Sequence, residues 1–75
     1  MDYKNYIEIV PGKRNGKPCI KQTRISVYDV LAWLAQGMSI SDILEDYPEL
    51  TAEQILACLS YAAEREHHLS TISAA

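Results

Sequence analysis

Three times between Ser26 and Gln54 the chain repeats one short pattern, a hydroxyl residue followed three positions later by an acid or amide. The pairs are Ser26/Asp29, Ser39/Asp42 and Thr51/Gln54. In such a box the first side chain accepts a hydrogen bond from the backbone N–H three residues on. The second accepts from the N–H of the first, so donors that a helix start leaves unpaired are satisfied reciprocally. Each box also precedes apolar residues at helical spacing. Val27, Val30, Leu31 and Leu34 follow the first, with Gly37 as a left-handed stop. Ile40, Ile43, Leu44 and Tyr47 follow the second and end at Pro48. The third opens a helix whose expected buried face is Ile55, Leu56, Leu59, Ala62 and Ala63, fading between Glu66 and His68. Ser70–Ala75 reads as a frayed tail.

Ahead of the helices the pattern changes period. Tyr6–Val10 is β-branched and aromatic and reads as a strand ended by Pro11-Gly12. Asn15-Gly16 is a two-residue turn signal, because a type I′ turn needs positive φ at both central positions. Pro18–Ile20 reads as the returning strand, confined by its proline to an edge or a strand start. The expected fold is mainly α with a small N-terminal β-hairpin. Its three-helix core is of helix-turn-helix type, winged-helix or homeodomain-like. Residues 1–66 form the single hairpin-plus-helices domain and 67–75 the helix end and flexible tail.

A chain of 75 residues has room for one core. Such a core rarely supplies more than about 3–5 kcal/mol, so a staple is expected. Cys19 and Cys58 are the only cysteines, in no metal-finger spacing, and read as thiols of a reducing cytoplasm. A partner subunit is the remaining staple. The polar start Met1–Tyr6 is unlike a signal peptide, and the longest apolar run, Val30–Ala35, is too short to span a bilayer.

Charge is segregated along the chain. The net value is −3, yet residues 11–28 hold Lys13, Arg14, Lys17, Lys21 and Arg24 with no acid, for +5. Residues 29–75 carry −7. Two surfaces for two kinds of partner are one reading; a basic hairpin resting on acidic helix ends of its own fold is the other. In the helix-turn-helix reading, Ile40–Tyr47 crosses the phosphate backbone and Ala52–Glu66 is the recognition helix. Its early outward positions are then Glu53, Gln54 and Ala57. Gln54 suits an adenine edge but Glu53 repels phosphates, so electrostatics for DNA must come from Lys13–Arg24.

Catalytic constellations are absent from the pattern. Gly12–Lys17 has one residue too few between its glycines for a Walker A loop, and Pro18 stands where Ser or Thr is needed. His67 and His68 point about 100° apart on a helix, and Glu64 with His68 supplies two metal ligands at most. Cys19 lies near Lys17 and Lys21 without a base partner. No enzyme, cofactor or metal site is expected. Interfaces are: Trp33 either covers the inner face of the hairpin or joins Cys58 and Tyr61 at a homodimer interface, extended along helix three by Leu69 and Ile72.

The stretch Gly16-Lys17-Pro18-Cys19-Ile20-Lys21-Gln22-Thr23-Arg24-Ile25-Ser26-Val27 resembles the opening signature of a bacterial domain-of-unknown-function family (number four-three-three), often described as VapB-like antitoxins. Leu31, Leu34, Gly37-Met38-Ser39, Ile43-Leu44, Tyr47–Thr51 and Leu59–Ala62 look like its later pattern. Gln22 departs from it, standing where the family usually has glycine. The resemblance implies a helix-turn-helix-like fold, a cytoplasmic antitoxin of a type II toxin–antitoxin pair, and a PIN-like ribonuclease toxin as partner, with operator DNA binding. In that setting Arg14, Lys17 or Arg24 contacts the acidic site of the nuclease or the DNA backbone, while Arg24 can instead pair locally with Asp29 or a helix end. The alternative is a protein–protein interaction module without a nucleic-acid role.

Overall fold

The computed structural model describes the backbone of residues 1–74 and the side chains of residues 1–68. All three capping boxes close. Ser26 Oγ accepts from the Asp29 N–H and Asp29 Oδ2 from the Ser26 N–H, both at 3.0 Å, heading α1 (Val27–Ala35). Ser39 and Asp42 do the same at 3.0 and 2.9 Å for α2 (Ile40–Asp46). At Thr51 the amide oxygen of Gln54 replaces the carboxylate, accepting at 2.8 Å ahead of α3 (Ala52–Ala74).

Helix α1 stops as its glycine requires. Gly37 has φ +101°, its N–H donates to Leu34 O at 3.0 Å, and the Met38 N–H donates to Trp33 O at 3.1 Å. These two bonds satisfy carbonyls that the last turn would otherwise leave bare. Helix α3 runs on to Ala74, beyond the Glu66–His68 region where its apolar pattern fades. The stripe expected at Leu69 and Ile72, and the tail character of Ser70–Ala75, concern side chains outside the described residues.

The hairpin is shorter than its sequence suggests. Only β1 (Ile7–Glu8) and β2 (Cys19–Ile20) pair, antiparallel, with Ile7 opposite Ile20 and Glu8 opposite Cys19. Ile9 and Val10 peel into solvent as Lys13 N–H closes a turn onto Val10 O at 2.9 Å. Pro18 has no N–H to give, but its carbonyl accepts from Val27 N–H at 2.9 Å. Together with an Ile20-to-Ile25 bond and a Cys19–Ser26 bridge, this ties β2 to the start of α1 on its other side. β2 is therefore the seam between hairpin and helices, and Cys19 and Ile20 are almost wholly buried there.

Asn15 and Gly16 do take positive φ, +58° and +77°, but Arg14 joins them at +50°. The result is a left-handed 3-10 turn over Arg14–Gly16, set within the long loop from β1 to β2. Gln22 also sits at φ +64°, so the bend before Thr23 persists without glycine. Thr23 braces it, donating from Oγ1 to Ile20 O at 2.9 Å and accepting from Ile25 N–H at 3.0 Å. A left-handed conformation costs an L-residue about 1–2 kcal/mol, part of which glycine returns through unfolded-state entropy. Gln22→Gly is accordingly expected to stabilise the domain by about 0.5–1 kcal/mol, raising the thermal midpoint by several degrees.

The core is one cluster drawn from both strands, all three helices and the loop before α3: Ile7, Ile20, Val27, Val30, Ile43, Leu50, Ile55, Ala57 and Cys58. Helix α3 presents a different arc from the one its spacing suggests. Ala57 and Cys58 are fully buried, whereas Leu56 and Leu59 are 44% and 39% exposed and Ala63 is exposed. Three neighbours share this helix: α1, α2 and the N-terminal 3-10 turn Tyr3–Asn5, with Tyr3 edge-on to Tyr61 at 5.3 Å. The arc they cover together includes the small side chains Ala57 and Cys58. The observed architecture is mainly helical, three helices with a two-stranded hairpin.

Candidate docking surface

The five cations of residues 11–28 separate into two groups. Lys13 Nζ bonds the Glu8 carboxylate and, at 3.0 Å, Thr23 O. Arg14 donates from one guanidinium nitrogen to Arg24 O at 2.7 Å and to Asp29 Oδ2 at 3.0 Å. These two side chains are turned inward, strapping the left-handed turn to β1, to the Gln22–Arg24 bend and to the cap of α1. Their role is a correction to the docking role expected of them: the chain's own carboxylates neutralise both. Arg14, rather than Arg24, is the partner of Asp29.

Lys17, Lys21 and Arg24 are exposed, and their side chains make no hydrogen bond or ion pair among the described residues. Lys21 acts on Glu8 through space only. Three cations thus stand outward on the rim formed by the loop before β2 and the bend after it.

Asp29 is the junction of the inward set. Partial burial pushes its carboxyl up, but the Ser26 backbone and hydroxyl hydrogen bonds and the Arg14 guanidinium outweigh this and hold it below the ordinary carboxylate range. Glu8 is held low chiefly by the Lys13 hydrogen bond, and Asp42 chiefly by the Ser39 N–H. In the unfolded chain these groups keep ordinary values near about 4. The unfolded state therefore takes up protons first. The stability they contribute is complete above that range and is lost as pH falls through and below about 4. Thermal midpoints are expected to hold from pH 7 to 5 and then fall. Asp29→Asn keeps an acceptor for the Ser26 N–H, so it should flatten part of that acid limb.

Other expected site residues fall elsewhere. Gln54 commits its side-chain oxygen to the cap of Thr51, and Ala57 is fully buried, so α3 offers Glu53 alone of the three positions expected to face a groove. Cys58 cannot contribute to a dimer surface: it is 0% exposed, and burial pushes its thiol up to about 12. Trp33 is half-buried and stacks on Tyr47 at 4.6 Å between centroids, so its ring partner is the end of α2, not the hairpin. Tyr61 is half-buried against Tyr3, with Arg65 over its ring. Among the described residues of α3, the large apolar side chains left exposed are Leu56 and Leu59. Cys19 is 1% exposed, its Sγ directed at Lys17 O. Among the described residues no group of three or more His, Cys, Asp or Glu can hold a metal ion, and no helix is long and apolar enough to cross a membrane.

One feature had no signal in the apolar spacing. Tyr28, one position off the α1 stripe, is 70% exposed. It walls an open groove of about 410 Å³ between the start of α1 and the middle of α3, with Lys17 at its rim.

The signature segment Gly16–Val27 thus builds the seam, the bend and the outward cations at once. A family model described as a protein of unknown function (DUF433) matches residues 7–62. The chain belongs to the DUF433 family. The DUF433 domain is 42% identical over 52 residues to an uncharacterized protein, y4eO, of Sinorhizobium fredii (strain NBRC 101917 / NGR234). That match takes in 69% of this chain but 24% of y4eO, so the domain spans about a quarter of that relative's length. A crystal structure of a DUF433 member protein from Anabaena variabilis ATCC 29413 is similar at a TM-score of 0.80 and 33% identity. The likeness covers 96% of this chain and 71% of the other.

Proposed function

We propose that this DUF433 domain is a protein-docking module, the antitoxin of a type II pair, whose outward cations Lys17, Lys21 and Arg24 engage an acidic site on a PIN-like ribonuclease toxin in the cytoplasm. The observation that carries the reading is the division of the basic segment. Two cations serve the fold, and three are left exposed where no acid of residues 11–28 answers them. Guanidinium and ammonium groups presented this way suit a cluster of carboxylates on a partner. The helix-turn-helix-like reading of α2 and α3 belongs to this proposal in its protein-docking form. With Gln54 in a cap, Ala57 buried and Glu53 outward, α3 is poorly equipped to read a major groove.

The test is a calorimetric titration of the domain against any PIN-like nuclease that a neighbouring gene encodes, run with a ribonuclease assay. Tight binding with loss of cleavage is expected; no heat at tens of micromolar of each folded protein would remove the reading. A gel shift with the upstream DNA at several salt concentrations addresses the second role. Affinity that falls steeply as salt rises would assign the same cations to phosphates.

A further inference from the structure

We propose that the groove between α1 and α3 receives a bulky apolar side chain carried by an acidic segment of a partner protein. This deepens the docking reading above and rests on it for the partner's identity. The floor is apolar, built from Val27, Leu31 and Ala62, and the walls are the rings of Tyr28 and Tyr61. At about 410 Å³ the space accepts one or two large side chains. It is open along its length, which suits a chain segment laid across it.

Charge selects the occupant. Lys17 lines the groove with no ion pair among the described residues, and it lies within the acid-free run of residues 11–28 that also holds Lys21 and Arg24. Arg65 also lines the groove, its guanidinium 5.9 Å from the centroid of the Tyr61 ring and donating to its hydroxyl at 3.3 Å. The groove thus carries two cations to one acid, Glu66. A basic segment would meet repulsion on entering, whereas carboxylates flanking an apolar anchor would meet Lys17 and Arg65. Tyr28 gives the pocket its energy: an aromatic ring 70% in solvent gains most by being covered, and tyrosine is enriched among residues that dominate binding.

The test uses a random twelve-residue peptide library displayed on phage, selected on the immobilised whole chain. Enriched peptides should pair Leu, Phe or Trp with Asp or Glu. As synthetic peptides they should bind at least tenfold more weakly to Tyr28→Ala and to Lys17→Glu, while Leu56→Ala on the far face of α3 leaves affinity unchanged. Tyr28 and Lys17 are exposed, so both variants should keep the native circular dichroism. No shared pattern, a basic pattern, or equal binding to Tyr28→Ala would overturn the proposal. The outcome is separable from that of the nuclease titration. Acidic apolar peptides with a silent nuclease remove the toxin and keep the groove, and a bound nuclease indifferent to Tyr28→Ala does the reverse.

Discussion

Ile20→Ala is expected to leave most of the protein unfolded at 37 °C. Ile20 is fully buried at the seam where β1, β2 and the entry to α1 meet, so the gap left by alanine is walled by rigid neighbours from three elements. Truncating such an isoleucine costs about 2–5 kcal/mol, with the upper part of the range where the surroundings cannot collapse. A core of this size supplies only about 3–5 kcal/mol in total. Urea melts followed by circular dichroism should show the midpoint falling close to zero denaturant. Ile9→Ala, at a position 59% exposed, should stay within about 0.5 kcal/mol of the parent.

The second large effect is on binding. Lys17→Glu with Arg24→Glu should weaken association with the acidic partner about 100-fold, since each interfacial charge pair is worth about 1.5 kcal/mol or more and every 1.4 kcal/mol is tenfold. Stability should barely change, because neither side chain has an ion pair to lose among the described residues. Arg14→Glu should show the opposite balance. It removes the donor to Arg24 O and places a carboxylate against Asp29, so the melting temperature should drop while the outward cations remain. Equal losses of affinity from both variants, with equal losses of stability, would mean that the division between inward and outward cations is not real.

How far the molecule was legible in its sequence differs from element to element. The three helix starts were readable because a capping box is a local device, complete within four residues and indifferent to what packs around it. The stop at Gly37 and the positive φ of Asn15 and Gly16 were readable for the same reason. The inward arc of α3 was not, because it depends on α1, α2 and the Tyr3–Asn5 turn, which come beside it only after folding. Two apolar stripes fit the spacing of α3, and packing chose the one with Ala57 and Cys58 over the one with Leu56 and Leu59.

The candidate surface was half legible. A run of five cations without an acid marks a basic segment, but composition cannot tell which of them the fold consumes. That is decided by Glu8 and Asp29, which lie outside the run and reach Lys13 and Arg14 across the loop. Gln54 illustrates the same limit in reverse: an amide that suits an adenine edge suits a helix cap equally, and in the fold its oxygen is held by the cap. Tyr28 was invisible as a site residue because it lies off the α1 stripe, and only folding sets Lys17 and Tyr61 beside it.

The measurement that bears most directly on the account is residue-resolved acetylation of lysines, read by mass spectrometry in the isolated domain and again with its acidic partner bound. Lys13, holding Glu8 and the Thr23 carbonyl, should react several-fold more slowly than Lys17 and Lys21 in both states. Lys17 and Lys21 should react quickly in the isolated domain and become protected in the complex. Lys13 reacting as fast as Lys17, or Lys17 and Lys21 staying fully reactive in a saturated complex, would contradict it.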